Sequence, residues 1–248
     1  MHASPYGVLM DEDLRAATLA AGPLLLRPWL PDDMPAVIEA YRDPAMRAML
    51  RMLVTDEAEA QHWLRVQQEG RESGSRFSFA VVDRDHSDEL VGNVALKYLA
   101  PGSVSAEVGY WTTARARGRG IAPRALGALT DWAFEAFAGD GLARLDLLHQ
   151  VNNEASCRVA EKSGYGFAEV LPARPPWLLD GHRHARGRTG GVRQPSLSSI
   201  AEQAQLSRPH GESEPVRRSR TLPQSTVTPS TAHRAGSAGT AGGRATHR

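Results

Sequence analysis

The sequence predicts a mixed α/β sheet with helices on both faces. Helical signals come early, three alternating β-branched stretches separated by turn residues follow, and a β-α-β-α-β run built around one strongly periodic helix ends the pattern. The 248 residues, 41% hydrophobic and 23% charged, suffice for one large domain with a tail. Residues 23–29, Pro-Leu-Leu-Leu-Arg-Pro-Trp, read as a short first strand behind an extension over 1–22. Pro31-Asp32-Asp33 then caps a helix to about Tyr41. A second helix starts near Asp56, with Ala60, Trp63, Leu64 and Val66 mostly at helical spacing, and ends in the polar run from Gly70 to Arg76. Phe77 to Val82, Leu90 to Tyr98 and Ser105 to Thr112 form an antiparallel meander. From Gly120 to Phe137 the apolar set Ala122, Leu126, Leu129, Ala133 and Phe137 marks one helical face. Ala143 to Val151 reads as a buried strand, Asn153 caps a helix that stops at Gly164, and Phe167 to Leu171 is a further strand closed by Pro172. No internal repeat is visible.

Charge divides the chain after Arg186. Residues 187–248 hold nine arginines, no lysine and three acidic residues, a local balance of +6 against −5 for the rest. They also lack Phe, Trp and Tyr and abound in Ser, Thr, Pro, Gly and Ala, so the expectation is a disordered basic tail that cannot bury enough apolar surface to offset its ordering entropy. Its arginines are scattered without aromatic interleaving, which disfavours a nucleic-acid arm. One origin for so abrupt a change is a shifted reading frame. The single cysteine, Cys157, excludes an internal disulfide, and the expectation is that no cysteine-based zinc site can be assembled from this chain alone. No stretch approaches the roughly 18 to 20 apolar residues of a membrane span, and Met1 to Asp13 has no basic-then-apolar signal pattern, so a cytoplasmic protein is expected.

The chemistry concentrates where the strand ending at Thr112 runs through Ala114 to Gly120 into the strongest helix. A helix start presents unpaired N–H groups and about half a positive charge, which together favour a phosphate or diphosphate. Gly118 and Gly120 let the backbone approach such a group, and Arg115, Arg117 and Arg119 add cations. Pro123 sits in the first turn, where its missing donor costs nothing. The third small residue of a dinucleotide fingerprint is absent, as is a Gly-Lys-Ser/Thr phosphate loop.

Arg117-x-x-Gly120-x-Ala122 resembles the Q/R-x-x-G-x-G/A signature with which GNAT acetyltransferases hold the acetyl-CoA pyrophosphate. Ala106-Glu107-Val108-Gly109-Tyr110-Trp111 is similar to that family's fourth strand, and the block from Asn153 through Ser156 to Tyr165 to its second conserved segment. The resemblance spans about Leu24 to His184 and is nearest the ribosomal-protein N-terminal acetyltransferase subgroup. It implies a GNAT domain over 23–186, with a mostly antiparallel sheet splayed between its fourth and fifth strands and the pantetheine arm in the gap. The expected function is acetyl transfer from acetyl-CoA to a primary amine, on a protein N-terminus or a small molecule, by direct attack and without a metal. A monomer or homodimer is expected, with no membrane or nucleic-acid partner. The alternative is a non-catalytic acyl-CoA-binding sensor or interaction protein.

Carried over residue by residue, the resemblance assigns cofactor contacts to Trp111, Thr112, Thr113, Arg117, Gly118, Arg119, Gly120, Ile121, Ala122, Asn153 and Ser156. Ser156 is expected near the CoA sulfur as the acid, with helix capping as its competing role; many members place a tyrosine where this chain has Ala160. Glu107, pointing away from the Val108 face, is the expected base, with His149 the runner-up. Cys157 is expected to pack rather than react. His182 and His184 with Asp180 lack a complete metal-ligand set. The same stretch starts the expected last strand.

Overall fold

The computed structural model describes residues 12–49, 53–174 and 179–188. Almost all of the expected tail lies outside these residues. The elements are α1 (Glu12–Ala16), β1 (Leu19–Ala21), β2 (Leu24–Arg27), α2 (Met34–Tyr41), α3 (Pro44–Arg47), α4 (Glu57–Ser73), β3 (Arg76–Asp83), β4 (Glu89–Lys97), β5 (Ser105–Thr112), α5 (Ile121–Ala136), β6 (Arg144–Gln150), α6 (Glu154–Lys162), β7 (Gly166–Leu171) and β8 (Gly181–Gly187). Short 3-10 turns, Pro31–Asp33 and Ala114–Ala116, lead towards α2 and α5.

Local sequence explains most boundaries. The Asp56 side chain accepts from the Glu59 amide at 2.8 Å to start α4, and Gly74, in the left-handed region at φ 75°, ends it. Asn153 accepts from the Ser156 amide at 3.2 Å to start α6. Pro44 sits in the first turn of α3, where the Asp43 carboxylate accepts from the Ala45 amide.

The eight strands form one sheet in the order β1-β2-β3-β4-β5-β6-β8-β7. Every neighbouring pair is antiparallel except β5 and β6. Sequence patterning did not assign β1, which pairs with β2, and did not show that β8 inserts between β6 and β7. One sheet face packs on α5, whose Ala125, Leu126, Leu129 and Ala133 are buried with Leu24, Leu26, Phe77, Phe79, Val94 and Val108. On the other face α2 and α4 bury Val37, Ala40, Tyr41, Ala60 and Trp63 together with Trp111 of β5. Apolar burial on both faces makes the sheet the rigid layer of the fold.

The feature that positions a site is where this sheet opens. β5 and β6 pair only from Ser105 with Arg144 to Val108 with Leu147. Beyond that point β5 stays with β4 as far as Thr112, while β6 stays with β8 as far as Gln150. The two central strands therefore diverge, and the expected splay is present.

Candidate active site

At the open end of β5 the chain turns into α5. Gly118 and Gly120 adopt φ 76° and 73°, in the left-handed region that side chains strain to enter. A Cβ at Gly118 would meet nothing within 4 Å, so backbone conformation rather than crowding demands glycine there. No hydrogen bond within the described residues takes up the amides of Gly118, Arg119 and Gly120. The first turn of α5 adds those of Ile121 and Ala122, which have no carbonyl one turn earlier to donate to. These amides lie in sequence at the positive end of a 16-residue helix.

The three arginines of this loop are each matched to a carboxylate from another element. Arg117 pairs with Asp43 and Arg115 with Glu89, while Arg119 reaches Asp83 at 2.6 Å. The Arg117 side chain is 43% exposed and that of Asp43 15%, so a phosphate approaching the loop meets a half-exposed guanidinium already paired with a largely covered carboxylate. A cleft of about 620 Å³, bordered by Pro123, Gly127, Lys162 and Arg186, opens beside the same helix between α5 and α6.

Along β5 the ladder decides which backbone groups face the split. The Thr113 amide donates to the Val91 carbonyl at 3.0 Å, continuing the β4–β5 register in which Trp111 lies opposite Asn93. Because groups alternate along an antiparallel strand, the N–H and C=O of Trp111 and Thr113 turn to β4, whereas those of Tyr110 and Thr112 turn towards the gap. Of the three residues expected to line the edge, only Thr112 offers its backbone, and Tyr110, absent from that expectation, joins it. Trp111 is instead a packing residue, with its ring 6.2 Å from that of Tyr41.

Side chains alternate in the same way. Tyr110 sends its hydroxyl to the Ser156 hydroxyl, 2.9 Å away on α6. Burial pushes the Tyr110 phenol above its ordinary value, partly opposed by the Ser156 bond, so it stays protonated at neutral pH. Ser156 is buried, and the cap of α6 belongs to the Asn153 carboxamide, so capping is not what the Ser156 hydroxyl does. Glu107 lies on the opposite face, one residue before the strands part, where it accepts from the Lys97 ammonium at 2.6 Å.

His149 stands on the divergent part of β6. Its Nδ1 is 2.8 Å from the Gln150 carbonyl, and burial lowers its pKa, assisted by the nearby His184 and His182 and opposed by that carbonyl. Cys157 follows Ser156 on α6, and its thiol is pushed up by burial and by Glu161 and Glu154, which argues against a nucleophilic thiolate. Asp180 is taken up by the Ala173 amide. Sequence reasoning missed Tyr110 because its signal is a contact between residues 46 positions apart.

A parted pair of parallel strands beside a helix start rich in free amides, with hydroxyl groups at the gap, is the architecture of an enzyme that holds an acyl-CoA and transfers its acyl group. The family model for the GNAT acetyltransferase domain matches residues 23–166, and the chain belongs to that family. It is an acetyl-CoA-dependent N-acetyltransferase, with acetyl-CoA as cosubstrate. A comparison with curated proteins finds no match. Among solved structures, RimJ of Mycobacterium smegmatis in complex with CoA-disulfide aligns with a TM-score of 0.62 at 20% identity, covering 76% of this chain and 95% of that one. RimL, a ribosomal L7/L12 α-N-protein acetyltransferase in complex with coenzyme A, aligns at 0.61 and 21%, covering 69% and 98%. A GNAT-family acetyltransferase from Bacillus anthracis aligns at 0.60 and 21%, with the same coverage. These likenesses are of fold. Among the described residues no helix is long and apolar enough to cross a membrane.

Proposed function

We propose that the acetyl acceptor is the α-amine of a protein N-terminus and that Tyr110 and Ser156 form the proton-donating pair. The observation that carries the second part is the 2.9 Å bond between their hydroxyls at the point where β5 and β6 part. The likeness in fold to RimL, whose acceptor is a protein α-amine, supports the first.

In this reading the amides of Gly118 to Ala122, with Arg117 and Arg119, bind the pyrophosphate, and Asn153 orders the turn into α6. The free edge of Tyr110 and Thr112 pairs with the extended pantetheine arm as an added strand would. In the same reading the Tyr110 amide, on that free edge, donates to the thioester oxygen as negative charge builds on it. The thioester then lies between two faces. On one, Glu107 takes the proton that the ammonium must lose, through water, leaving a neutral amine to attack. As the C–N bond forms and the C–S bond breaks, Ser156, backed by the neutral Tyr110 phenol, gives a proton to the departing sulfur. An acid and a base on opposite faces suit a nucleophile that enters from one side and a thiolate that leaves towards the other. No covalent enzyme intermediate is required.

The test is release of CoA, and gain of one acetyl group by mass, with three acceptor sets: peptides with a free N-terminus, the same peptides N-terminally blocked but carrying lysine, and small polyamines. Turnover with the first set alone is expected. Turnover confined to polyamines or lysine side chains contradicts the substrate reading.

A further inference from the structure

Beside the acyl-transfer groups, three elements bring together side chains that the sequence keeps far apart. His149 of β6, Cys157 of α6, and His182 and His184 of β8 each present one ligand atom, and these four atoms lie within 4.8 Å of one another. We propose that this cluster binds a single Zn²⁺ with three imidazoles and one thiolate, clamping α6 to β6 and β8.

The spacing suits the ion. Tetrahedral zinc, with Zn–N about 2.0–2.1 Å and Zn–S about 2.3 Å, requires its sulfur and nitrogen ligands to sit about 3.5 Å apart. The Cys157 sulfur is 3.5 Å from His149 Nε2 and 3.3 Å from His182 Nδ1. The tautomer of His149 is also set. A carbonyl can only accept, so Nδ1 carries the hydrogen donated to the Gln150 oxygen and Nε2 turns its lone pair towards Cys157. That outer bond is the usual support of a zinc-bound histidine.

His184 supplies an independent sign. It is 2% exposed, stacks on His149 with centroids 5.2 Å apart, and neither of its ring nitrogens has a hydrogen-bond partner within the described residues. A buried polar group without a partner is rare in a folded chain and calls for a ligand or an ion. A cation at the centre of the cluster satisfies a ring nitrogen of His184 and relieves the packing of three imidazoles around a thiol with no acidic side chain among the four.

Four protein ligands complete a tetrahedron, so the site is structural: no position is left open for a zinc-bound water. Its effect on function runs through α6. Cys157 is the neighbour of Ser156, and the sheet at this end has lost its β5–β6 pairing. Fixing Cys157 to β6 and β8 fixes the helix that carries the proposed acid. This role commits His149 to metal and leaves the base to Glu107.

Cobalt titration of the full chain, stripped with chelator and free of CoA, tests the proposal. Cys157 is the only cysteine, so a thiolate-to-cobalt charge-transfer band reports this site alone. The expected result is saturation at one Co²⁺ per chain with that band and intense tetrahedral visible bands, and displacement by one Zn²⁺. Cys157→Ser and His182→Gln, each checked by circular dichroism for an unchanged fold, should lose the band, and their melting temperatures should not respond to Zn²⁺ as that of the parent does. Absence of a saturable, cysteine-dependent band in the folded parent, or a site that survives both substitutions, would overturn the proposal.

Discussion

Replacing Arg117 by Glu and Gly120 by Val together should weaken acetyl-CoA binding by at least about two orders of magnitude. Gly120 sits at φ 73°, so a β-branched side chain cannot hold that conformation without strain, and the start of α5 must shift. With it move the amides of Gly118 to Ala122, on which the phosphate contacts rest. Glu at 117 places a carboxylate beside Asp43 where the cation now stands. Losing two charge-assisted hydrogen bonds, at about 1.5–3 kcal/mol each, removes about 3 kcal/mol or more, and each 1.4 kcal/mol is tenfold in affinity. Calorimetric titration of the folded double variant checks this; wild-type affinity would contradict the assignment of the loop.

The second large effect is expected at Ser156. Ser156→Ala should lower kcat by about 10²- to 10⁴-fold, the range for a positioned proton donor, with acetyl-CoA affinity near wild type. Tyr110→Phe should lower kcat as well, and the double variant should cost less than the two separately, because each hydroxyl works through the other. Asn153→Ala is the control, since its carboxamide caps α6 and its loss should appear as about 1 kcal/mol of stability in the urea midpoint. A Ser156→Ala protein with a lowered midpoint and unchanged kcat would remove Ser156 from the chemistry and leave water as the donor.

Elements with a dense local signal were legible in the sequence. The alternation from Ser105 to Thr112 gives β5 at its observed bounds, and the four-and-three spacing from Ala122 to Phe137 gives α5. Asn153 announced its own helix. The turn from Arg117 to Ala122 was readable as a helix start entered through glycines, because that is a local feature. What depends on pairing was not. β1, three residues of Leu-Ala-Ala, has too little pattern to separate it from a loop, and the placing of β8 between β6 and β7 is a property of the sheet. Likewise Trp111, Thr112 and Thr113 look equivalent in sequence, and only the register with β4 turns Thr112 to the gap and the other two away. Tyr110 and Ser156 meet across 46 positions, and the His149, Cys157, His182 and His184 cluster draws on three elements, so no spacing rule announces either.

Residue-resolved amide hydrogen exchange, with and without acetyl-CoA, tests most directly where the cosubstrate lies. In the free protein the Tyr110 and Thr112 amides, facing the gap, should exchange fast, while those of Trp111 and Thr113, bonded to β4, should be slow. Saturating acetyl-CoA should protect Tyr110, Thr112 and the amides from Gly118 to Ala122 and leave Trp111 and Thr113 unchanged. Protection that appears elsewhere, with Tyr110 and Thr112 still exchanging freely, would contradict the seating of acetyl-CoA between β5 and β6.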